Sequence, residues 1–256
     1  MNKAQEAFQR LLTIMDELRE KCPWDKKQTM ESIRHLTIEE VYELADAILE
    51  KNTNEIKNEL GDILLHIVFY AKIASETNAF DITEVIHAIC DKLIVRHPHI
   101  YSDVKADDEE TVKRNWEQIK MKEGKKSVLE GVPASLPSLV KAIRIQEKAR
   151  GAGFDWDQVA QVRAKVEEEF SELNQEIAIG NQERITQEFG DLLFSLINYA
   201  RFVNVNPEEA LERTNKKFMK RFMHMEEAVA QAGKALAQMN LDEMDVYWNK
   251  AKEVFR

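Results

Sequence analysis

The sequence predicts an all-α protein made of two tandem, related helical bundles. Three observations predict it. Glycine and proline are scarce, with eight and five in 256 residues, so few positions break a helix. Apolar residues recur at i, i+3, i+4 and i+7 almost everywhere, which is the period of an amphipathic helix and not of a strand. One block also repeats. "TIEEVYELADAI" matches "VEEEFSELNQEI" and "NELGDILLHIVFYA" matches "QEFGDLLFSLINYA", each residue 129 positions before its counterpart and without a gap.

The elements follow in chain order. "MNKAQEAFQRLLTIMDELREK" sets charges among apolar residues at helical spacing and lacks the apolar core and cleavage site of a secretory signal. After "CPWD" comes a helix bearing Glu40 and Glu43. The short polar loop "EKNTNEIK" makes the next helix its antiparallel neighbour. That helix carries Glu59 and Asp62 ahead of a stripe of Leu60, Ile63, Leu64, Ile67, Val68 and Ala71. In "RHPHIY", His97 and His99 flank a proline, and one of them either touches ligand or serves the end of a helix. "GKKSVLEGVPASLPSL" interrupts the period with Gly124, Gly131, Pro133 and Pro137. It divides the chain into domains 1–125 and 126–256. "RGAGFDW" is a second break, similar to the earlier "PWD".

The repeat then supplies Glu169, Glu172, Glu188 and Asp191. Downstream, "NKKFMKRF" resembles "CDKLIVRH" and sets Lys217 and Arg221 opposite Lys92 and Arg96. "YWNKAK" resembles "NWEQIK" and sets Trp248 and Lys252 opposite Trp116 and Lys120. Each domain is expected to have four or five helices. Two acid-bearing helices cannot bury their apolar stripes alone, so a homodimer is expected.

A net charge of −10 argues against a broad surface for a nucleic-acid polymer. It is compatible with a small phosphate-bearing ligand held through metal ions. The two cysteines, Cys22 and Cys90, build no disulfide framework and no CxxC zinc pair. No run approaches the ~18–20 apolar residues of a membrane span. The expectation is a soluble cytoplasmic protein with no membrane partner.

The carboxylates carry the chemistry. Glu40 and Glu43 stand three apart on one helix face, as do Glu59 and Asp62 on the next. Four acids facing each other repel unless cations lie between them. An all-oxygen donor set suits Mg²⁺, with Mn²⁺ as a substitute. A single ExxE is usually a solvated face, but surface acids have no reason to keep the same spacings in both copies. A di-iron bundle needs two ExxH motifs. Only Glu84 to His87 offers one in a helix, and its counterpart region has none. Gly61 and Gly190 precede the two aspartates and read as places where a facing helix or a phosphate comes close.

These motifs, "EEVYE…ELGD" and "EEFSE…EFGD" with "CPWD", "RHPH" and "NWEQIK", resemble those of the MazG nucleotide pyrophosphohydrolases, long tandem-domain type. That family lies in the all-α NTP pyrophosphohydrolase superfamily with the dimeric dUTPases. The resemblance implies Mg²⁺-dependent hydrolysis of NTP or dNTP to the monophosphate and pyrophosphate by water attack at the α-phosphorus. Its setting would be nucleotide-pool housecleaning or regulation. Metal would be held by Glu169, Glu172, Glu188 and Asp191, and Glu169 or Glu172 would take the water's proton. Substrate contacts would come from Lys165, Glu168, Arg184, Lys217, Arg221, Trp248, Lys252 and Lys120, with Trp248 either stacking on a base or filling the core. Glu40, Glu43, Glu59 and Asp62 form a second, weak or inactive site.

The copies differ in positive charge. Lys165 and Arg184 stand four positions before Glu169 and Glu188, where the first copy has Leu36 and Glu55. The C-terminal domain is therefore expected to be catalytic, unless those two cations only pair with their own acids. The alternative function is a non-catalytic helical protein that binds metal or a partner.

Overall fold

The computed structural model describes residues 2–102, 112, 119 and 127–255. It is helical throughout, with no strand among the described residues. The chain forms two compact units, Met1–Val112 and Lys113–Arg256. The expected boundary at 125/126 lies outside the described residues, as do Trp116 and Lys120. No helix among the described residues is long and apolar enough to cross a membrane.

The first unit contains α1 (Lys3–Lys21), a 3₁₀ turn (Asp25–Lys27), α2 (Met30–Glu50), α3 (Thr53–Ser75), α4 (Ile82–Arg96) and α5 (Pro98–Tyr101). Side chains close the helix starts, where backbone N–H groups lack partners. Asn2 and Gln5 form a reciprocal box at α1, Thr29 and Ser32 at α2, and Asp81 and Glu84 at α4. Lys51 ends α2 in the left-handed conformation at φ 56°. Asn52 then caps α3 directly, so the chain reverses within two residues and α3 runs back along α2. α1 packs against α3 around Met15, Ile33, Val68 and Phe69, with Leu36 and Leu65 against that cluster. Phe69 is 3% exposed.

An ion pair closes this unit. Arg19 donates to both carboxylate oxygens of Glu76, at 2.8 and 2.6 Å, and also to the backbone carbonyls of Asp25 and Gln28. It thereby ties the end of α1 to the 3₁₀ turn and to the end of α3.

The second unit contains α6 (Ser138–Gly151), α7 (Val159–Ile179), α8 (Gln182–Phe202), α9 (Pro207–Gln231) and α10 (Leu241–Val254). The reversal between α7 and α8 repeats that between α2 and α3. Gly180 takes the left-handed turn at φ 81° where the first unit has Lys51, and Asn181 caps α8 where the first has Asn52. α6 packs on α8, and α9 on α10. Gly61 and Gly190 call for a correction. A Cβ built at either one meets nothing within 4 Å, so helix packing within the chain does not require a glycine there.

Phe69 anchors the first unit's core, so Phe69→Ala should lower that unit's unfolding free energy by about 3–5 kcal/mol. Urea denaturation followed by α-helical circular dichroism measures the loss.

Candidate active site

Two antiparallel helices bring three carboxylates together in each unit. Glu169 and Glu172 of α7 meet Glu188 of α8, one oxygen from each lying within 4.8 Å of the others. Glu40 and Glu43 of α2 meet Glu59 of α3 in the same way. Asp62 and Asp191 stand outside these triads. Asp62 is nonetheless close enough for its charge to act on Glu40 and Glu59, and Asp191 shares the wall of a cleft with Glu169.

The crowding shows in the acidities. Burial and then the charges of Asp62 and Glu43 push Glu40 above the usual carboxylate range, against a hydrogen bond with Glu59. Burial followed by Glu43, Glu40 and Asp62 pushes Glu59 up. Glu172 is raised by desolvation and then by Glu169 and Glu188, while Lys165 pulls it down. Such a set of like charges resists ionisation until a cation joins it. Its donors are all carboxylate oxygens, which fit a hard divalent ion.

The expected cations have different surroundings. Lys165 Nζ lies 2.8 Å from Glu168 and 2.7 Å from Glu169, itself only 7% exposed. Those bonds, Glu168's first, hold the Lys165 ammonium well above the usual lysine range. Leu36, at the corresponding place in the first unit, lies instead against the apolar core. Arg184 is exposed and makes no ion pair with Glu188 among the described residues, so the i,i+4 pairing holds for Lys165 alone. Lys217 is exposed on α9. Lys252 on α10 donates to Asn249 at 3.1 Å. Arg221 Nε and Nη2 donate to the Phe255 carbonyl at 2.8 and 2.5 Å, tying α9 to the end of α10. Half-buried Trp248 packs at a tilt against Phe218, with ring centroids 5.0 Å apart.

Beside Glu169 and Asp191 opens a cleft of about 580 Å³. Gln146 of α6, Phe154 and Asp155 of the following loop, Val162 and Lys165 of α7, and Ser195, Asn198 and Arg201 of α8 help line it. Gln146, Asp155, Asn198 and Arg201 escaped the sequence reading as site residues. The available signals were the "GFDW" break and two polar residues, Ser195 and Asn198, within the apolar stripe that follows Asp191. Arg201 donates to both oxygens of Asp155, at 2.8 and 2.5 Å. Burial alone would raise Asp155. Hydrogen bonds from Arg201 and the Trp156 N–H, together with the charges of Arg201 and Arg150, hold it below the usual range.

The same helical positions are filled differently in the first unit. Where the second has Lys165, Phe194, Ser195 and Asn198, the first has Leu36, Leu65, His66 and Phe69. Leu36, Leu65 and Phe69 belong to its packed interior. Burial lowers the basicity of His66, whose Nδ1 has no hydrogen-bond partner among the described residues.

The MazG nucleotide pyrophosphohydrolase domain matches this chain twice, over residues 28–101 and 153–225. The chain is 44% identical to the nucleoside triphosphate pyrophosphohydrolase/pyrophosphatase MazG of Thermotoga maritima, over 98% of each protein. It is 41% identical to the nucleoside triphosphate pyrophosphohydrolase of Escherichia coli, over 95% of this chain and 96% of that one. A shorter match, 34% identical, covers 56% of this chain and 46% of the nucleoside triphosphate pyrophosphohydrolase of Mycolicibacterium smegmatis.

The Asp155–Arg201 pair should make stability pH-dependent. A carboxylate whose folded-state pKa is depressed stabilises above its unfolded pKa, about 3.9 for aspartate, and loses that contribution as pH falls through the folded value. Wild type should therefore melt above Asp155→Asn near neutral pH. The gap should close as pH is lowered below the ordinary aspartate range, as differential scanning calorimetry across pH would show.

Proposed function

We infer that this chain, which belongs to the MazG nucleotide pyrophosphohydrolase family, hydrolyses nucleoside triphosphates to the monophosphate and pyrophosphate. The observation that carries this reading is the α7–α8 carboxylate triad at the edge of the cleft. Glu169, Glu172, Glu188 and Asp191 would hold Mg²⁺, or Mn²⁺ in its place. When bound, the ion would neutralise charge on the phosphates and lower the pKa of water.

In the reaction, a water oxygen bonds to the α-phosphorus as the α-phosphorus to bridging-oxygen bond breaks. Pyrophosphate leaves, and the water's proton passes to a carboxylate. Glu172 suits that role better than Glu169. Glu169 is paired with Lys165 at 2.7 Å, whereas Glu172 makes no ion pair among the described residues. Glu168 holds Lys165 beside the acids, so Lys165 offsets their charge where a polyanion must approach. Arg184, Lys217, Arg221 and Lys252 are proposed to clamp the phosphates. Arg221's bonds to the Phe255 carbonyl would position its guanidinium. Trp248 contributes through its packing on Phe218, and Lys120 completes the proposed set from outside the described residues.

The C-terminal domain is proposed as the catalytic one, and the N-terminal domain as structural or weakly active. Supporting this, the first unit has packed Leu36 and Phe69 where the second has Lys165 and Asn198. A homodimer is proposed because Phe170 and Ile177 of α7 and Phe189, Leu193 and Leu196 of α8 stand exposed. So many large apolar side chains on one helix pair exceed what a monomer ordinarily leaves in water. The proposed setting is nucleotide-pool housecleaning or regulation in the cytoplasm.

Incubation of each NTP with Mg²⁺ should yield NMP and pyrophosphate. Glu172→Gln should abolish that turnover, and Glu43→Gln should retain most of it. Loss in Glu43→Gln alone would assign the chemistry to the first unit. Absence of products with either Mg²⁺ or Mn²⁺ would leave a helical metal- or partner-binding protein.

A further inference from the structure

The cleft has a chemical direction. Along α8, Asp191 lies at its acidic end, Ser195 one turn on, and Asn198 seven residues away, about 10 Å at the rise of an α-helix. A nucleotide whose α-phosphate sits at the acids would extend its sugar past Ser195 and bring its base to Asn198.

At that end the amide has one permitted orientation. Arg201 donates to Asn198 Oδ1 from both Nε, at 3.2 Å, and Nη2, at 2.8 Å. A guanidinium has no acceptor, so the oxygen of Asn198 must face it. The Nδ2 hydrogens are thereby directed away from Arg201. Arg201 cannot readily let go, because both oxygens of Asp155 hold it and its guanidinium carbon stands 4.5 Å from the centre of the Phe202 ring. The loop carboxylate, the guanidinium and the amide form a chain that ends in a fixed donor on the cleft wall.

We propose that Asn198 reads the nucleobase, donating from Nδ2 to a carbonyl oxygen or ring nitrogen on the base edge, with Arg201 and Asp155 as positioning residues. Every natural base carries such an acceptor, so this contact recognises the presence of a base before its identity. The assignment rests on the nucleotide-hydrolase reading above. The first unit has Phe69 at this position, packed in its core, and so has no corresponding donor.

The test compares UTP and GTP with ribose 5-triphosphate, which lacks a base, as substrate or competitive inhibitor. Asn198→Ala should lower kcat/KM for UTP and GTP about tenfold through KM, the scale of one neutral hydrogen bond. Its effect on ribose 5-triphosphate should stay within about twofold. Asn198→Asp retains the bonds to Arg201, and with them the local fold, but removes the donor. It should show the same selective loss. Equal losses on base-bearing and base-free substrates, or no loss on either nucleotide, would overturn the proposal while leaving the hydrolase reading intact. A wild-type protein that releases no pyrophosphate from any NTP would overturn both.

Discussion

Three carboxylates whose oxygens lie within 4.8 Å of one another repel, and backbone geometry has to hold them there. The two-residue reversals do so. A left-handed residue, Lys51 or Gly180, is followed at once by an asparagine cap, and this sets the register of the returning helix. Shifting either helix by one residue would turn its acids about 100° away from those opposite. The triad, the cleft beside it and the ion pairs that close each unit all depend on that register.

Much of this was legible in the sequence because it is periodic. Helices show their apolar spacing, and a gapless repeat doubles the signal at Glu40, Glu43, Glu59 and their counterparts. The cleft was not legible. Gln146, Asp155 and Asn198 come from three elements and share a wall only after folding, and no local spacing links them. Asn198 alone reads as a polar interruption of a helix stripe. Arg221's bonds to the Phe255 carbonyl tie α9 to the end of α10, a contact that no local spacing announces. For Gly61 and Gly190, the place directly before an aspartate suggested the close approach of a facing helix or a phosphate. Within the chain, a Cβ built at either meets no neighbour within 4 Å.

The difference between the copies first appears as charge, with Lys165 against Leu36 and Arg184 against Glu55. Packing gives it a second basis. Lys165 is engaged with Glu168 and Glu169, so part of its charge is already matched by neighbouring acids. The larger contrast is between the open wall at Asn198 and the filled interior at Phe69. A bundle of this size can use that interior for cohesion or for recognition.

That choice is hard to reverse in small steps. An amide at position 69 alone would set a polar group into a filled apolar cluster, where the nearby Arg19 guanidinium, 5.6 Å from the centre of the Phe69 ring, is already bonded to Glu76, and a lysine at 36 alone would set an ammonium into that cluster. Each of these substitutions alone is costly. For two bundles of the same helical plan, the filled interior at Phe69 and the open wall at Asn198 are therefore alternatives that single substitutions do not interconvert.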